Sequence, residues 1–406
     1  MRYLSIFIFF CASLAASPRI QLGVDVFFQE ERYLALKGKK VAVLTNHTGV
    51  DGQQRSTLEA LQQVEGDFKI VALFCPEHGM TGISYAAENV AHQKYGKLTC
   101  FSLHGTHRRP TEEMLKGIDV IIYDIQEIGC RSYTYATTLY YVMEEAAKRN
   151  IEVIVLDRPN PLGGMIVDGP MLKEKSRSFL GYINVPYCHG MTIGELARFF
   201  NEEYRVKCRL KVVPLKGWKR DMTYQETGLA WIPTSAQIPE ADTPFFYPAT
   251  GLLGELGLVN IGIGYTLPFK VVGAPWIESK TLVKALNDQN LRGVKFFPFH
   301  FKPYFGLYKN EECHGVRILI TDPKHFRPVS IAYITMGVLK SLYPKEVLQR
   351  LHALPEKRRD LFCKANGNTI IWDLLLKEKY AGWKMVSVDQ EERKAFLEKR
   401  QKYLLY

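Results

Sequence analysis

The chain has 406 residues, of which 47% are hydrophobic and 23% charged. Those fractions are those of an ordinary globular protein and exclude general disorder; 31 Gly and 20 Pro exclude a collagen-like or linker-dominated architecture. The 53 basic against 42 acidic side chains leave a formal net charge of +11, which suits an anionic partner, whether nucleic acid, phospholipid or an acidic sugar.

Residues 1–17 (MRYLSIFIFFCASLAAS) join a basic start at Arg2 to an apolar run and then to small residues, the pattern of a secretory signal peptide. The run is too short to favour a spanning helix. The expectation is an exported protein, periplasmic or extracellular, with no membrane span in the mature chain. Apart from Cys11 in this run, the cysteines are Cys75, Cys100, Cys130, Cys188, Cys208, Cys313 and Cys363. Their number is odd and none forms a Cys-x-x-Cys pair, so zinc and redox motifs are not indicated.

The mature chain alternates strands and helices. Residues 40–45 (KVAVLT) predict a buried strand, 56–63 a short helix, 68–75 a strand and 98–103 a weaker one. A helix begins near 110–115, a strand covers 120–124, a long helix 133–150 and a strand 151–156. Thr192 with Glu195 three residues on forms a capping-box pattern for a helix reaching about residue 204, followed by a strand at 210–213. This order predicts an α/β protein with a parallel sheet covered on both faces. Residues 231–273 are rich in Pro, Gly, Thr and aromatics with poor periodicity, so the division falls near 232: a first domain at 18–232 and a second domain at 233–406. In the latter, 280–291 and 331–342 read as helices, 316–321 as a strand, and the basic stretch 393–402 as a solvated helix face.

Polar residues collect where the strands end, and ligands of open parallel sheets bind at that edge. The first strand runs into Asn46 and His47, the second into Glu77 and His78, the next into Asp124, Gln126 and Glu127, and the last of this series into Asp157, Arg158 and Asn160. Each is equally a cap or turn residue on its own; Glu77-His78 fits that reading poorly. There is no G-x-G-x-x-G after the first strand, no Walker-type lysine and no G-x-S-x-G elbow. His78, His92, His104, His107 and His189 match no metal-binding spacing. No cofactor and no metal are expected, and no nucleic-acid recognition motif is present. The sequence does not specify an oligomeric state.

Several ordered strings carry a resemblance: 45–51 (TNHTGVD), 76–79 (PEHG), 124–129 (DIQEIG), 131–135 (RSYTY), 156–161 (LDRPNP), 168–170 (DGP), 189–192 (HGMT) and 217–220 (GWKR). Together they resemble the NamZ-type exo-β-N-acetylmuramidases, over about residue 23 to the end. The resemblance implies a Rossmann-like parallel-sheet N-terminal domain and a smaller α/β C-terminal domain. It also implies release of N-acetylmuramic acid from the non-reducing end of peptidoglycan fragments of MurNAc-GlcNAc type. The chain departs from the family's pattern at Asp168, where glutamate is expected, and at Ile263, where the loop is expected to carry arginine. The alternative is therefore a catalytically weak or inactive protein that binds cell-wall saccharide.

Glycoside hydrolysis needs an acid for the leaving oxygen and a base, nucleophile or neighbouring acetamido group for the anomeric carbon. Glu77 resembles the family's catalytic glutamate and is assigned general acid/base. Asp168, Glu127 and His78 complete the catalytic candidates. Muramic acid carries a lactyl carboxylate, which an arginine can grip with two hydrogen bonds, and Arg131 and Arg158 are the candidates. Asn46, Glu88, Asp124, Gln126, Tyr133, Asp157, Asn160, His189 and Glu255 complete the candidate saccharide-binding set. Tyr133 has helix packing as its other reading; Asp124 and Asp157 have ion pairing with Arg131 or Arg158 as theirs.

Overall fold

The computed structural model describes residues 20–86 and 88–406; the signal-peptide pattern at 1–17 lies outside the described residues. A seven-stranded sheet is built from β1 (Lys40–Thr45), β2 (Lys69–Cys75), β3 (Gln93–Tyr95), β4 (Leu98–Ser102), β5 (Val120–Asp124), β6 (Glu152–Leu156) and β7 (Arg209–Val213), in the order β3-β4-β2-β1-β5-β6-β7. Every pairing is parallel except that of the short edge strand β3 with β4. β1, β5 and β6 are buried along almost their whole length, as the near-continuous apolar runs of strands covered on both faces require. Alternate residues feed two cores: Val41, Val43, Val120 and Ile122 face one, Ala42, Leu44, Ile121 and Tyr123 the other. Because β2 and β5 flank β1 on opposite sides, the chain direction reverses beside β1, and the crevice at the carboxyl ends opens there.

The second part holds a three-stranded antiparallel sheet of β8 (Val271–Ala274), β9 (Val294–Phe301) and β10 (Cys313–Ile320), in the order β8-β10-β9. No strand is predicted from the sequence over Val294–Phe301, and the structure places β9 there with Pro298 inside it. As an edge strand β9 tolerates a residue without an N–H. Nor does the sequence predict the helix Thr243–Glu255, which contains Pro248. That helix forms because Phe245, Phe246, Leu252 and Leu253 are buried in a core shared with the first sheet, and tertiary packing overrides poor local propensity. The same core continues through Val316, Phe326, Met336, Phe362 and Trp372, joining the two parts without a solvent gap.

The basic stretch at 393–402 does lie on a helix, Gln390–Arg400, but that helix is not merely a solvated face. Arg400 is buried and donates to the His189 and Gly190 carbonyls at 3.1 and 2.8 Å. The seven described cysteines are buried free thiols. Among the described residues no helix is long and apolar enough to cross a membrane.

Candidate active site

A cavity of about 610 Å³ opens at the carboxyl edge of the sheet. One wall comes from the turn after β2 (Glu77, His78) and the segment after β5 (Ser132 to Tyr135). The facing wall comes from the second part: Tyr247 and Glu255 of the helix Thr243–Glu255, Asn260 and Ile263 of the following loop, and Arg358 of the helix Glu356–Asn366.

The turn after β2 is conformationally expensive. His78 and Gly79 both take left-handed backbone angles, φ 70° and 76°. For a side-chain-bearing residue this costs roughly 1–2 kcal/mol, and such strain collects at functional sites. His78 is held there by its ring, whose Nδ1 donates to the Ser84 carbonyl at 2.7 Å and which meets the Tyr135 ring edge-on. This turn sets Glu77 at the cavity. The Thr134 hydroxyl donates to Glu77 Oε2 at 2.6 Å, and His104 Nε2 stands 3.7 Å from Oε1. Burial pushes the His104 ring below its ordinary pKa, with the Glu77 charge opposing, so a neutral ring is favoured beside the carboxyl group.

Aromatic rings form the rest of the first wall. The Tyr133 ring meets those of Tyr135 and Tyr247 edge-on at centroid distances of 4.8 and 6.1 Å, and its hydroxyl donates to Thr234 Oγ1 at 2.8 Å. Burial lifts its phenol to about 12, so it serves as a neutral hydrogen-bonding and packing group. The Ser132 hydroxyl donates to Tyr187 at 2.7 Å. Across the cavity, burial raises the Glu255 carboxyl above its ordinary range, opposed by the Arg358 guanidinium 3.5 Å away. Among the described residues lining the cavity, Glu77 and Glu255 are the only carboxylates and Arg358 the only arginine or lysine. Ile263, at the position where the resemblance leads one to expect arginine, contributes an apolar patch.

Of the residues singled out in the sequence, the cavity therefore gathers Glu77, His78, Tyr133 and Glu255. The others lie elsewhere, and their hydrogen bonds say why. Asp124 is fully buried and paired with Arg158, which donates Nε to Oδ1 at 2.5 Å and Nη2 to Oδ2 at 2.9 Å; Thr57 donates to the same carboxylate. Arg131 donates to four main-chain carbonyls, of Pro170, Val185, Ala365 and Asn366. Asp157 sits at the start of the helix Ile193–Glu203 and accepts from Gly194 N, Thr192 and Tyr406. Asp168 accepts from Gly169 N, Ser330 N and the Ser330 hydroxyl, which caps the helix Pro328–Leu342. Glu127 accepts from Gly129 N inside the protein. Asn160 closes a turn through Leu162 N and Met191 O, and the His189 ring accepts from Met191 N. Burial drives His189 down to about 3, so it stays neutral. Glu88 is exposed and accepts from Tyr85 N. Asn46 and Gln126 are buried and each keeps one polar atom, Nδ2 and Oε1, without a hydrogen-bond partner among the described residues.

The sequence reading overlooked Thr134, Tyr247, Asn260 and Arg358. Thr134 was within reach, because it lies in the 131–135 string. The other three follow residue 232 in segments with weak periodicity, and only packing brings them to the sheet edge. The family model described as exo-β-N-acetylmuramidase NamZ, N-terminal, matches residues 41–242, and its C-terminal counterpart matches 245–406. The chain is 39% identical over 335 residues to peptidoglycan β-N-acetylmuramidase NamZ of Bacillus subtilis strain 168, covering 82% of this chain and 80% of that one. Two crystal structures of DUF1343 family proteins from Bacteroides fragilis are similar. One is 40% identical with TM-score 0.89, covering 96% of this chain and 99% of that one. The other is 27% identical with TM-score 0.71, covering 95% and 99%. With both family models matched in order across the two parts that wall the cavity, the chain belongs to the NamZ exo-β-N-acetylmuramidase family.

Proposed function

We propose that this protein is a peptidoglycan β-N-acetylmuramidase that removes N-acetylmuramic acid from the non-reducing end of cell-wall fragments of MurNAc-GlcNAc type, with Glu77 as general acid/base. The observation that carries the assignment is a carboxylate anchored by Thr134 at the wall of a deep, tyrosine-lined cavity. In its carboxylic-acid form Glu77 gives its proton to the glycosidic oxygen as the bond to the anomeric carbon breaks, and water supplies the hydroxyl that the carbon receives and the proton that restores Glu77. The aromatic wall offers flat apolar faces to the sugar rings, and buried hydroxyls beside them offer hydrogen bonds. Arg358 is the cation in reach of a lactyl carboxylate entering the cavity, and Glu255 is the second carboxylate of the site. Residues 1–17 support export, so the protein acts in the periplasm or outside the cell. Residues 18–232 form the catalytic domain and 233–406 the domain that closes the cavity.

A second reading, saccharide binding without turnover, is favoured by two observations: Ile263 in the cavity wall and Asp168 committed to a helix cap. One assay separates the two. Wild-type protein should liberate free N-acetylmuramic acid from the MurNAc-GlcNAc disaccharide, and Glu77→Gln should lower kcat/KM by about 10²–10⁴-fold. Sugar binding with no release by the wild type establishes the second reading instead.

A further inference from the structure

Away from the cavity, on the second sheet, His300, Glu312 and His314 bring three metal-ligating atoms within 4.8 Å of one another. His300 is separated in sequence from Glu312 and His314 by the β9–β10 loop, so no spacing motif announces the three together. The antiparallel ladder makes the site: β9 and β10 place His300 directly opposite His314, and Glu312 immediately precedes β10. The two imidazoles meet edge to face, with Nδ1 of one 3.3 Å from Nδ1 of the other. Two nitrogens each about 2.05 Å from a tetrahedral ion stand about 3.3 Å apart, so the rings already hold the edge of such a site. The register of eight paired residues fixes that spacing, which lowers the ordering cost of binding.

We infer that His300, Glu312 and His314 bind one divalent transition-metal ion of the zinc type, with water completing the coordination. Two imidazoles and one carboxylate are the donor set that suits a borderline ion, and a set without thiolate or further carboxylates disfavours both soft monovalent copper and calcium. The position gives the ion a mechanical role. Residues 302–312 form the loop between β9 and β10, and Leu307 in that loop lines the cavity. The loop is tied to the cavity floor, since Asn260 Nδ2 donates to the Leu307 carbonyl at 2.8 Å and Tyr304 N to that of Gly264 at 2.8 Å. An ion at the base of the hairpin clips both ends of the loop together.

The test uses the full mature protein, metal-free and without a histidine tag, titrated with Zn²⁺ by calorimetry and with Co²⁺ by visible absorption. The expected result is one ion per chain, a Kd in the micromolar range or tighter, and a Co²⁺ spectrum of tetrahedral intensity. His300→Asn and His314→Asn should each weaken binding by about tenfold or more, whereas His352→Asn, on the helix Pro344–Ala353 and outside the cluster, should leave it unchanged. His300 and Glu312 are exposed, so His300→Asn and Glu312→Gln test the site without disturbing the core. Absence of saturable binding by the wild type, or a loss smaller than about tenfold in both histidine variants, overturns the inference and leaves a hydrogen-bonded histidine pair.

Discussion

Glu127 shows how burial alone can make a carboxyl group look catalytic. It follows β5 with its side chain inside the protein and accepts from Gly129 N at 2.7 Å. Burial lifts its pKa to about 8, with that N–H opposing, so the folded protein holds a proton that the unfolded chain has released at neutral pH. The sign follows from proton counting. Between the ordinary carboxylate value and about pH 8 the native state binds more protons, so stability falls as pH rises, with a slope approaching about 1.4 kcal/mol per unit for one such group. Glu127→Gln removes this contribution while keeping an amide oxygen to accept from Gly129. Its melting temperature should therefore decline less than that of the wild type between about pH 5 and pH 8, with activity retained. Parallel Tm profiles for the two proteins would show that Glu127 does not titrate in this way.

At the scale of elements, the polar residues of the strand ends and of the loops after them have several uses: Asp124 pairs with Arg158, and others cap helices or reach the cavity. Where the facing element is a helix start, the side chain caps it: Asp157 serves the helix Ile193–Glu203 and Asp168 the helix Pro328–Leu342. Where the facing element stands off, as beyond β2, a cavity remains. Asp168→Ala should accordingly cost about 1–2 kcal/mol in urea unfolding, the range for losing a cap, while kcat/KM of the folded protein stays within severalfold of wild type. A loss of about 100-fold at unchanged stability would return Asp168 to the catalytic machinery. Much of this level was legible in the sequence. The strands at 40–45 and 120–124 and the Thr192–Glu195 capping box are where hydrophobic runs and cap chemistry put them. The set of strand-end residues was legible too, but not which of them meet the cavity. Asp168 is decided by Ser330 and Arg131 by Asn366, contacts that cross more than a hundred residues and leave no local pattern.

At the scale of the whole molecule, Arg131 is a fastener between the two parts. Its Nη1 donates to the Pro170 and Val185 carbonyls at 2.8 and 2.6 Å, and its Nη2 reaches the end of the helix Glu356–Asn366 at the Ala365 and Asn366 carbonyls, at 3.3 and 2.7 Å. Gly367 must lack a side chain there, because a Cβ would stand 2.4 Å from Nη2. Burial lowers the guanidinium to about 10, which still leaves it charged at neutral pH, and charge-assisted donors at a helix end complement the partial negative charge of its last carbonyls. The helix so fastened carries Arg358 to the cavity, so the positions of the two walls depend on this buried cation. Arg131→Met should remove roughly 3 kcal/mol of stability in urea unfolding, because four carbonyls lose a charged donor at once. Arg131→Lys should recover only part of it, since a single ammonium cannot reproduce the planar fork. In protein that remains folded, KM for a muramyl substrate should stay within about threefold of wild type, because the guanidinium is spent on main-chain carbonyls and does not itself line the cavity, which only Ala365 among its four partners borders. A rise in KM of about 100-fold (the scale of a lost charged ligand contact) with stability unchanged would instead put the guanidinium on the substrate's lactyl carboxylate.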